Sequence, residues 1–245
     1  FMDKETFLLR GDYPSIAELL ESFTQFMDKR YPPKPDDTPV NRTRTDVLKR
    51  CVLKAADKPG AFTLSVPTGG GKTLSSMAFA LNHAIHHHKR RIIYVIPYIS
   101  IIEQTADQFQ KIFGDAVIEH HANLDPAEEN EEYTKRRLAC ENWDAPIIVT
   151  TAVQFFESLF ASRTSRCRKL HNIVNSVVVL DEAQLLPPEF LNPILSALNE
   201  LRKNYSVTLL LSTATQPAFS PRKSPSFTFA GLSGTREIIE NPDEL

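Results

Sequence analysis

The residues with the clearest chemical role form a glycine-rich stretch between an apolar run and a helical stretch of this 245-residue sequence. The stretch reads Pro67-Thr68-Gly69-Gly70-Gly71-Lys72-Thr73. Three successive glycines let the backbone turn its N–H groups toward phosphate oxygens without side-chain clashes. The start of the following helix adds free N–H groups and a positive dipole. Lys72 is placed to reach the β- and γ-phosphates and Thr73 to ligate Mg²⁺, so the sequence predicts a nucleoside triphosphate site.

One position in this loop narrows the class of protein. The general phosphate-binding pattern G-x-x-x-x-G-K-[ST] has glycine where this chain has Val66, which disfavours a P-loop kinase or a small GTPase. The variant [AS]-x-[PRE]-T-G-x-G-K-T is typical of superfamily 2 helicases, and Ser65–Thr73 fits it. The alternative is a flexible glycine-rich turn followed by an incidental Lys-Thr pair. The flanking strand and helix argue against that alternative.

A second motif places two carboxylates at the end of an apolar strand. The segment Val177–Gln184 reads VVVLDEAQ. Hydrolysis of a nucleoside triphosphate needs one acid to hold Mg²⁺ and another group to orient or deprotonate the attacking water. Asp181 suits the first role and Glu182 the second. Acidic pairs are common at strand ends. The assignment of these roles therefore depends on the phosphate-binding loop that precedes the motif in the sequence.

Three further polar segments follow predicted strands in the order that helicase motifs have. The first runs from Pro97 and Tyr98 to Gln104, the second contains Thr150 and Thr151, and the third is the segment Ser212-Thr213-Ala214-Thr215. Backbone N–H groups at helix starts, together with threonine hydroxyls, can hold successive phosphates of one DNA strand. The first two segments therefore predict contacts with nucleic acid. Ser212, Thr213 and Thr215 are expected to couple the acidic motif to a second domain.

The elements that must position these residues alternate along the chain. Short apolar runs predict strands at Ala61–Val66, Arg91–Pro97, Ala116–Glu119, Pro146–Thr150, Ser176–Asp181 and Ser206–Ser212. Helical stretches at Thr73–His88 and Ser100–Phe113 lie between them. Because several runs are apolar throughout, the strands are expected to be buried on both faces. The pattern predicts an α/β fold, a RecA-like P-loop domain whose mostly parallel sheet carries helices on both faces.

The N-terminal part differs from this alternation. Residues 14–30 have helical spacing of apolar side chains, Tyr31–Pro39 holds four prolines and predicts an extended linker, and Thr45–Ala56 is amphipathic.

The composition adds few constraints. Its 28 basic and 30 acidic residues give no global argument for nucleic acid. No apolar run reaches the ~20 residues of a membrane span, and three scattered cysteines indicate a reduced, cytoplasmic protein.

Taken together, the motifs resemble those of the CRISPR-associated nuclease–helicase of type I systems, a superfamily 2 helicase. The segments that carry the resemblance are Val66–Leu74, Leu180–Pro187 and Ser212–Pro217. The Leu-Leu-Pro that trails the Asp-Glu-Ala-Gln box is most similar to the type I-C branch. The same holds for Asn41-Arg42-Thr43-Arg44, expected just before a helix. The resemblance covers roughly residues 40 to 240.

The resemblance implies an ATP-dependent enzyme that moves 3′ to 5′ on single-stranded DNA in a prokaryotic cytoplasm. An RNA-guided surveillance complex would recruit it. Residues 1–40 would then be the exit helix and linker of an upstream nuclease domain, residues 41–230 the first RecA-like domain, and residues 231–245 the start of a linker to a second one. The chain holds no His-Asp pair, so the nuclease centre is expected elsewhere.

The resemblance also assigns individual residues. It adds Gln184 to the catalytic set and places Arg44 where related helicases have an adenine-recognising glutamine, among the nucleotide-binding residues. The arginines that a second motor domain contributes to the γ-phosphate are expected outside this chain. Hydrolysis by this part alone is therefore expected to be weak.

Two other functions stay open on the sequence alone. The chain could be a docking module for a surveillance-complex subunit or a phage-encoded inhibitor, through the acidic stretch Asp125–Glu132 and the N-terminal amphipathic helix. It could also be a general superfamily 2 DNA or RNA helicase with no link to CRISPR.

Overall fold

The computed structural model describes residues 13–32, 37–121, 140, 142–160, 169–214, 222–224, 227–229 and 231–240. Helix α1 spans Ile16–Arg30 and begins at Ser15, whose hydroxyl and backbone form a reciprocal capping box with Glu18. Helix α2 spans Pro39–Lys54. The remaining helices are α3 (Lys72–His86), α4 (Ile99–Phe113), α5 (Ala152–Phe160), α6 (Leu170–Ile173) and α7 (Leu191–Asn204).

A seven-stranded sheet forms the centre of the fold. Its strands are β1 (Ala61–Ser65), β2 (Arg91–Ile96), β3 (Val117–His120), β4 (Ile147–Thr151), β5 (Ser176–Leu180), β6 (Thr208–Thr213) and β9 (Thr235–Glu237). They lie in the order β3-β4-β2-β5-β6-β1-β9, and every pair is parallel. Strands β7 (Arg222–Ser224) and β8 (Phe227–Phe229) form a separate antiparallel pair. The predicted fold class, an α/β domain with a parallel sheet, is confirmed.

Two apolar cores cover the two faces of the sheet. Alternate strand residues such as Phe62, Tyr94 and Val179 pack with helices α1 to α4. Their neighbours, among them Ile93 and Val178, pack with α5, α6 and α7. This explains why the strands are apolar throughout, because a strand between two helix layers has no solvent face. All carboxyl ends of the parallel strands meet at one edge, and the loops leaving that edge carry the predicted motifs.

The second helix starts earlier than the sequence pattern indicated. Helix α2 begins at Pro39, six residues before Thr45, so Arg44 lies inside the helix rather than before it. The reason is local: the Thr38 hydroxyl accepts from the Asn41 backbone N–H, and Pro39 occupies the first turn, where its missing N–H costs nothing. The proline-rich composition masked these start signals.

The final part of the chain also differs from expectation. Residues 231–240, expected to begin a linker, include β9, which pairs with β1 at the edge of the sheet. The acidic stretch Asp125–Glu132 lies outside the described residues. Among the residues that the structure describes, no helix is long and apolar enough to cross a membrane.

Candidate functional site

The glycine-rich loop connects β1 to α3 at the carboxyl edge of the sheet. Gly69 and Gly71 have φ angles of 85° and 83°, a region in which side chains are strained. Gly70 is needed for a different reason, because a Cβ there would overlap with the Val66 side chain and lie 3.1 Å from the Pro67 carbonyl. The Val66 side chain therefore requires glycine at position 70. Thr68 and Gly69 are exposed, which leaves the loop open to a ligand.

Two contacts from distant parts of the chain hold the loop. At its start, the Glu237 carboxylate accepts from the Ser65 backbone N–H at 3.1 Å and the Ser65 hydroxyl at 2.8 Å. Over its turn, the Arg44 Nε donates to the Gly69 carbonyl at 2.8 Å, and the Arg44 stem packs against Gly71. The structure thus brings Arg44 to the loop, as its predicted nucleotide-binding role requires. No local sequence pattern indicated Glu237, because its contact with Ser65 spans 172 positions.

Lys72, the first residue of α3, is buried and points toward the second motif. Its Nζ lies 2.9 Å from Oε1 of Glu182. Glu182 has a φ of 45°, unusual for a residue with a side chain, and Gln184 donates from its amide to the other Glu182 oxygen. Burial raises the pKa of Glu182, but Lys72 and Gln184 outweigh it, so the pKa is lowered overall. Glu182 is therefore a carboxylate at neutral pH, as a group that orients water must be.

Asp181 leaves β5 beside Glu182 in a more enclosed place. The Glu182 backbone N–H donates to Asp181 Oδ1 at 3.0 Å. Burial raises the pKa of Asp181; the Ser212 hydroxyl opposes that shift, and the Glu182 charge adds to it. The carboxylate, with the Thr73 hydroxyl at the start of α3, offers the hard oxygen ligands that Mg²⁺ prefers. These residues fit a magnesium ion next to a bound phosphate chain.

A buried tyrosine lies beneath these groups. The Tyr94 hydroxyl is 3.0 Å from the Ser76 Oγ on α3. Burial, and to a smaller extent the Asp181 charge, raise the pKa of Tyr94 well above its ordinary value. The sequence pattern indicated only that Tyr94 belongs to an apolar strand. A phenol in such a run is the signal that could have marked it, because a buried tyrosine hydroxyl needs a partner.

The predicted nucleic-acid contacts fall into two groups. Thr150 and Thr151 are buried, and their hydroxyls act inside the protein: Thr150 donates to the His120 carbonyl, and Thr151 accepts from the Gln154 N–H at the start of α5. Tyr98 and Gln104 are exposed, and Pro97 is half-buried. The threonine hydroxyls are thus occupied, whereas the residues after β2 are accessible.

An apolar pocket lies beside those accessible residues. It has a volume of about 120 Å³ and opens between the ends of β2, β4 and β5. Its walls include Pro97, Tyr98, Val153 and Leu185, together with Asp181 of the second motif. The chain therefore places an apolar surface next to the two carboxylates of that motif.

The third motif lies at the end of β6, next to β1 and β5. Ser212 and Thr213 are fully buried, and the Thr213 carbonyl accepts from the Val66 N–H at 3.1 Å. Because β6 pairs with both β1 and β5, this strand lies between the loop and the acidic motif. Thr215 lies outside the described residues. The predicted coupling by these hydroxyls stays a prediction.

Comparison with known proteins agrees with this geometry. Residues 46–223 match the DEAD/DEAH box helicase family. The chain is 31% identical over 219 residues to the CRISPR-associated nuclease/helicase Cas3 of Haloferax volcanii, covering 75% of this chain and 23% of that protein. It is 25% identical to the ATP-dependent DNA helicase Hel308 of Methanocaldococcus jannaschii, over 77% of this chain and 13% of that protein.

Solved structures show the same fold. The crystal structure of T. fusca Cas3-AMPPNP matches with a TM-score of 0.59 at 18% identity, covering 82% of this chain and 22% of that one. The chain thus spans less than a quarter of each of these relatives. The resemblance to CRISPR-associated nuclease–helicases and to superfamily 2 helicases, which the motifs indicated, is confirmed.

Proposed function

The chain belongs to the DEAD/DEAH box helicase family, and from that premise we propose that it is the first motor domain of a translocase on single-stranded DNA. Residues 41–230, together with the N-terminal helix α1 and strand β9 that pack on them, form this domain, which binds ATP with Mg²⁺. The translocase moves 3′ to 5′ along the strand and acts in CRISPR interference of type I-C. A separate His-Asp domain supplies DNA cleavage, and an RNA-guided surveillance complex recruits the enzyme.

One observation carries the nucleotide part of the proposal. The glycine-rich loop, Lys72 and both carboxylates converge at one edge of the sheet, with Lys72 2.9 Å from Glu182. When ATP binds, the Lys72 ammonium would exchange the Glu182 carboxylate for the γ-phosphate. Glu182 would then be free to orient water, and Asp181 and Thr73 would be the residues that hold a magnesium ion. Turnover by this chain alone is slow, because charge on the transferred phosphoryl group needs further cations from across a domain cleft.

The CRISPR part is supported by the similarity to the Haloferax protein, whose name includes both nuclease and helicase. The T. fusca structure with the same fold contains AMPPNP, which agrees with ATP as the nucleotide. The similarity to an ATP-dependent DNA helicase supports DNA as the polymer, and it also fits a general superfamily 2 helicase.

The docking-module alternative has less support. The apolar face of α1, which we considered as a docking surface, packs Leu19 and Phe23 into the core beneath α3 and α4. That face is therefore used within the domain.

Lys72→Ala tests the proposed nucleotide site. We expect ATP·Mg²⁺ affinity, measured by calorimetry, to fall about 100-fold, because a charge-assisted bond to phosphate is lost. Lys203→Ala removes an exposed lysine from α7 and is the matched control, with no change expected. Unchanged affinity in Lys72→Ala, with the thermal unfolding midpoint retained, would contradict the proposed site.

A further inference from the structure

The glycine-rich loop begins at the carboxyl end of β1, and the last two backbone N–H groups before it belong to Ser65 and Val66. Pro67, which follows, has no N–H. Val66 donates to the Thr213 carbonyl of β6 at 3.1 Å, which is an ordinary backbone contact of a parallel sheet. Ser65 donates toward the other neighbour, β9, and its acceptor is a side chain. The start of the loop therefore depends on one carboxylate, that of Glu237.

Strand β9 is too short to offer a backbone acceptor at this level. It pairs with β1 through Thr63, whose carbonyl accepts from the Ile238 N–H at 2.9 Å, and it ends at Glu237. The next rung of a parallel ladder would take the Ser65 N–H to a carbonyl beyond Glu237. The Glu237 carboxylate takes that place instead, 3.1 Å from the Ser65 nitrogen. A side chain thus extends the sheet by one hydrogen bond.

The Glu237 carboxylate is itself held in a fixed position. Its Oε1 also accepts from the Ile239 N–H at 3.2 Å, and its Oε2 accepts from the Ser65 hydroxyl at 2.8 Å. Ile238 and Ile239 are buried in the core on one face of the sheet. Ser65 is buried as well, so its N–H has little access to water. Loss of the carboxylate would therefore leave a buried donor without a partner directly before the loop.

We propose that Glu237 is a positioning residue for the nucleotide loop and acts through Ser65. Its hydrogen bonds fix the end of β1, so the loop keeps the shape that binds phosphate before the nucleotide arrives. The role requires an acceptor of this length rather than a negative charge. Glutamine can make the same contacts, because its amide oxygen accepts from both N–H groups and its amide nitrogen donates to the Ser65 hydroxyl. The inference rests on the proposed binding of ATP with Mg²⁺.

Glu237→Leu and Glu237→Gln test the inference with the 245-residue chain. Both side chains are close to glutamate in size, but only glutamine accepts hydrogen bonds. Binding of a fluorescent ADP analogue is measured by anisotropy with and without Mg²⁺, below the melting transition of every variant. We expect Glu237→Leu to weaken binding about tenfold in both conditions and Glu237→Gln to change it less than about threefold. Natural affinity in Glu237→Leu, or equal weakening by the two variants, overturns the inference.

Glu237→Asp gives a milder second variant. It keeps the charge but shortens the side chain by one methylene, so the carboxylate no longer reaches the Ser65 N–H without a shift of β9. We expect weaker binding of the same analogue, in the same direction as in Glu237→Leu. If Glu237→Leu does not fold, natural affinity in Glu237→Asp overturns the inference.

Arg236→Ala separates positioning from a general loosening of β9. The Arg236 guanidinium lies 4.2 Å from the centre of the Phe62 ring and donates to the Lys58 carbonyl, so its loss weakens the attachment of β9 without touching Ser65. We expect a lower melting temperature and unchanged nucleotide affinity. An affinity loss equal to that of Glu237→Leu would overturn the positioning role.

Lys72→Ala separates the inference from the proposed function. If Lys72→Ala weakens binding and Glu237→Leu does not, only the inference fails. If the natural chain binds no nucleotide, the proposed function fails with it.

Discussion

The carboxyl edge of the sheet contains two regions of opposite character. Around β1, β5 and β6, the side chains at this edge are polar or charged: Lys72 pairs with Glu182, and the Ser212 hydroxyl counters the rise in the pKa of Asp181. Around the ends of β2 and β4, the accessible surface is apolar, and the hydroxyls of Thr150 and Thr151 turn inward. The boundary is the pair Asp181 and Glu182, which belongs to the first region and also lines the pocket of the second.

The difference shows how one edge can serve two ligands. A phosphate chain with its metal needs fixed charges and donors in an enclosed place. A single strand of DNA offers unpaired bases, which bind to exposed aromatic and apolar groups. Because the acids border both regions, a ligand in the pocket would contact the same carboxylates that we propose act on the nucleotide. The proposed function therefore predicts that DNA bound there stimulates hydrolysis.

Both regions are built on the same buried sheet. The largest effect that we predict is on the stability of this sheet and its helices. His83 of α3 is fully buried, with Nδ1 2.8 Å from the Ala55 carbonyl and Nε2 2.9 Å from the Thr208 hydroxyl. Burial lowers its pKa from 6.5 to about 4. The folded protein therefore favours the neutral form of His83. The stabilisation that results is fully present above pH 6.5 and is lost as the pH falls toward 4.

We expect this loss to be on the order of 3 kcal/mol in the free energy of unfolding. Urea unfolding at pH 7 and pH 4.5 measures it in the natural chain and in His83→Gln, where the difference between the two pH values should shrink. His171→Gln replaces an exposed histidine and is the control. If the free energy of unfolding of His83→Gln changes between the two pH values as much as that of the natural chain does, His83 is excluded as the source.

Gly70→Ala is expected to damage the polar region alone. The new methyl would overlap with Val66, so the loop must shift, and overpacking of this kind costs about 1–3 kcal/mol. We predict nucleotide binding about 30-fold weaker, with DNA binding retained. The double variant Val66→Ala with Gly70→Ala makes room for the methyl and should recover most of the affinity. A double variant no better than Gly70→Ala would show that the two residues are not matched.

Tyr98→Ser is expected to damage the apolar region alone, with the smallest effect of the three. Loss of one aromatic platform should weaken binding of a fluorescent oligothymidine about tenfold, while nucleotide affinity stays the same. Tyr205→Ser removes a similarly exposed ring at the opposite edge of the sheet and serves as the control. Equal weakening by both variants would remove the distinction between the two regions.

Features with a local signal were predictable from the sequence. Short runs of residues were enough to predict the six strands, the loop from Pro67 to Thr73 and the acids Asp181 and Glu182. The structure brings the loop and the acids together at one edge of the sheet. Features that depend on distant pairing were not predictable in this way. Strand β9 has only three residues, and its place beside β1 follows from the fold.

Tyr94 shows a second limit. In a strand buried on both faces, apolar side chains occupy every position, so the sequence does not reveal which residue faces the helix that carries Thr73. Likewise, nothing in the local pattern distinguishes a threonine that binds phosphate from one that caps a helix, as Thr151 does. Only the assembled neighbours decide between these roles.

The bond between Glu237 and Ser65 has a consequence for the order in which the protein matures during synthesis. The glycine-rich loop leaves the ribosome early, but the carboxylate that holds Ser65, at the end of the strand before the loop, is translated 172 positions later. Parallel pairing at such a separation closes slowly. In a nascent chain the glycine-rich loop would therefore lack this support until β9 has been synthesised and paired with β1.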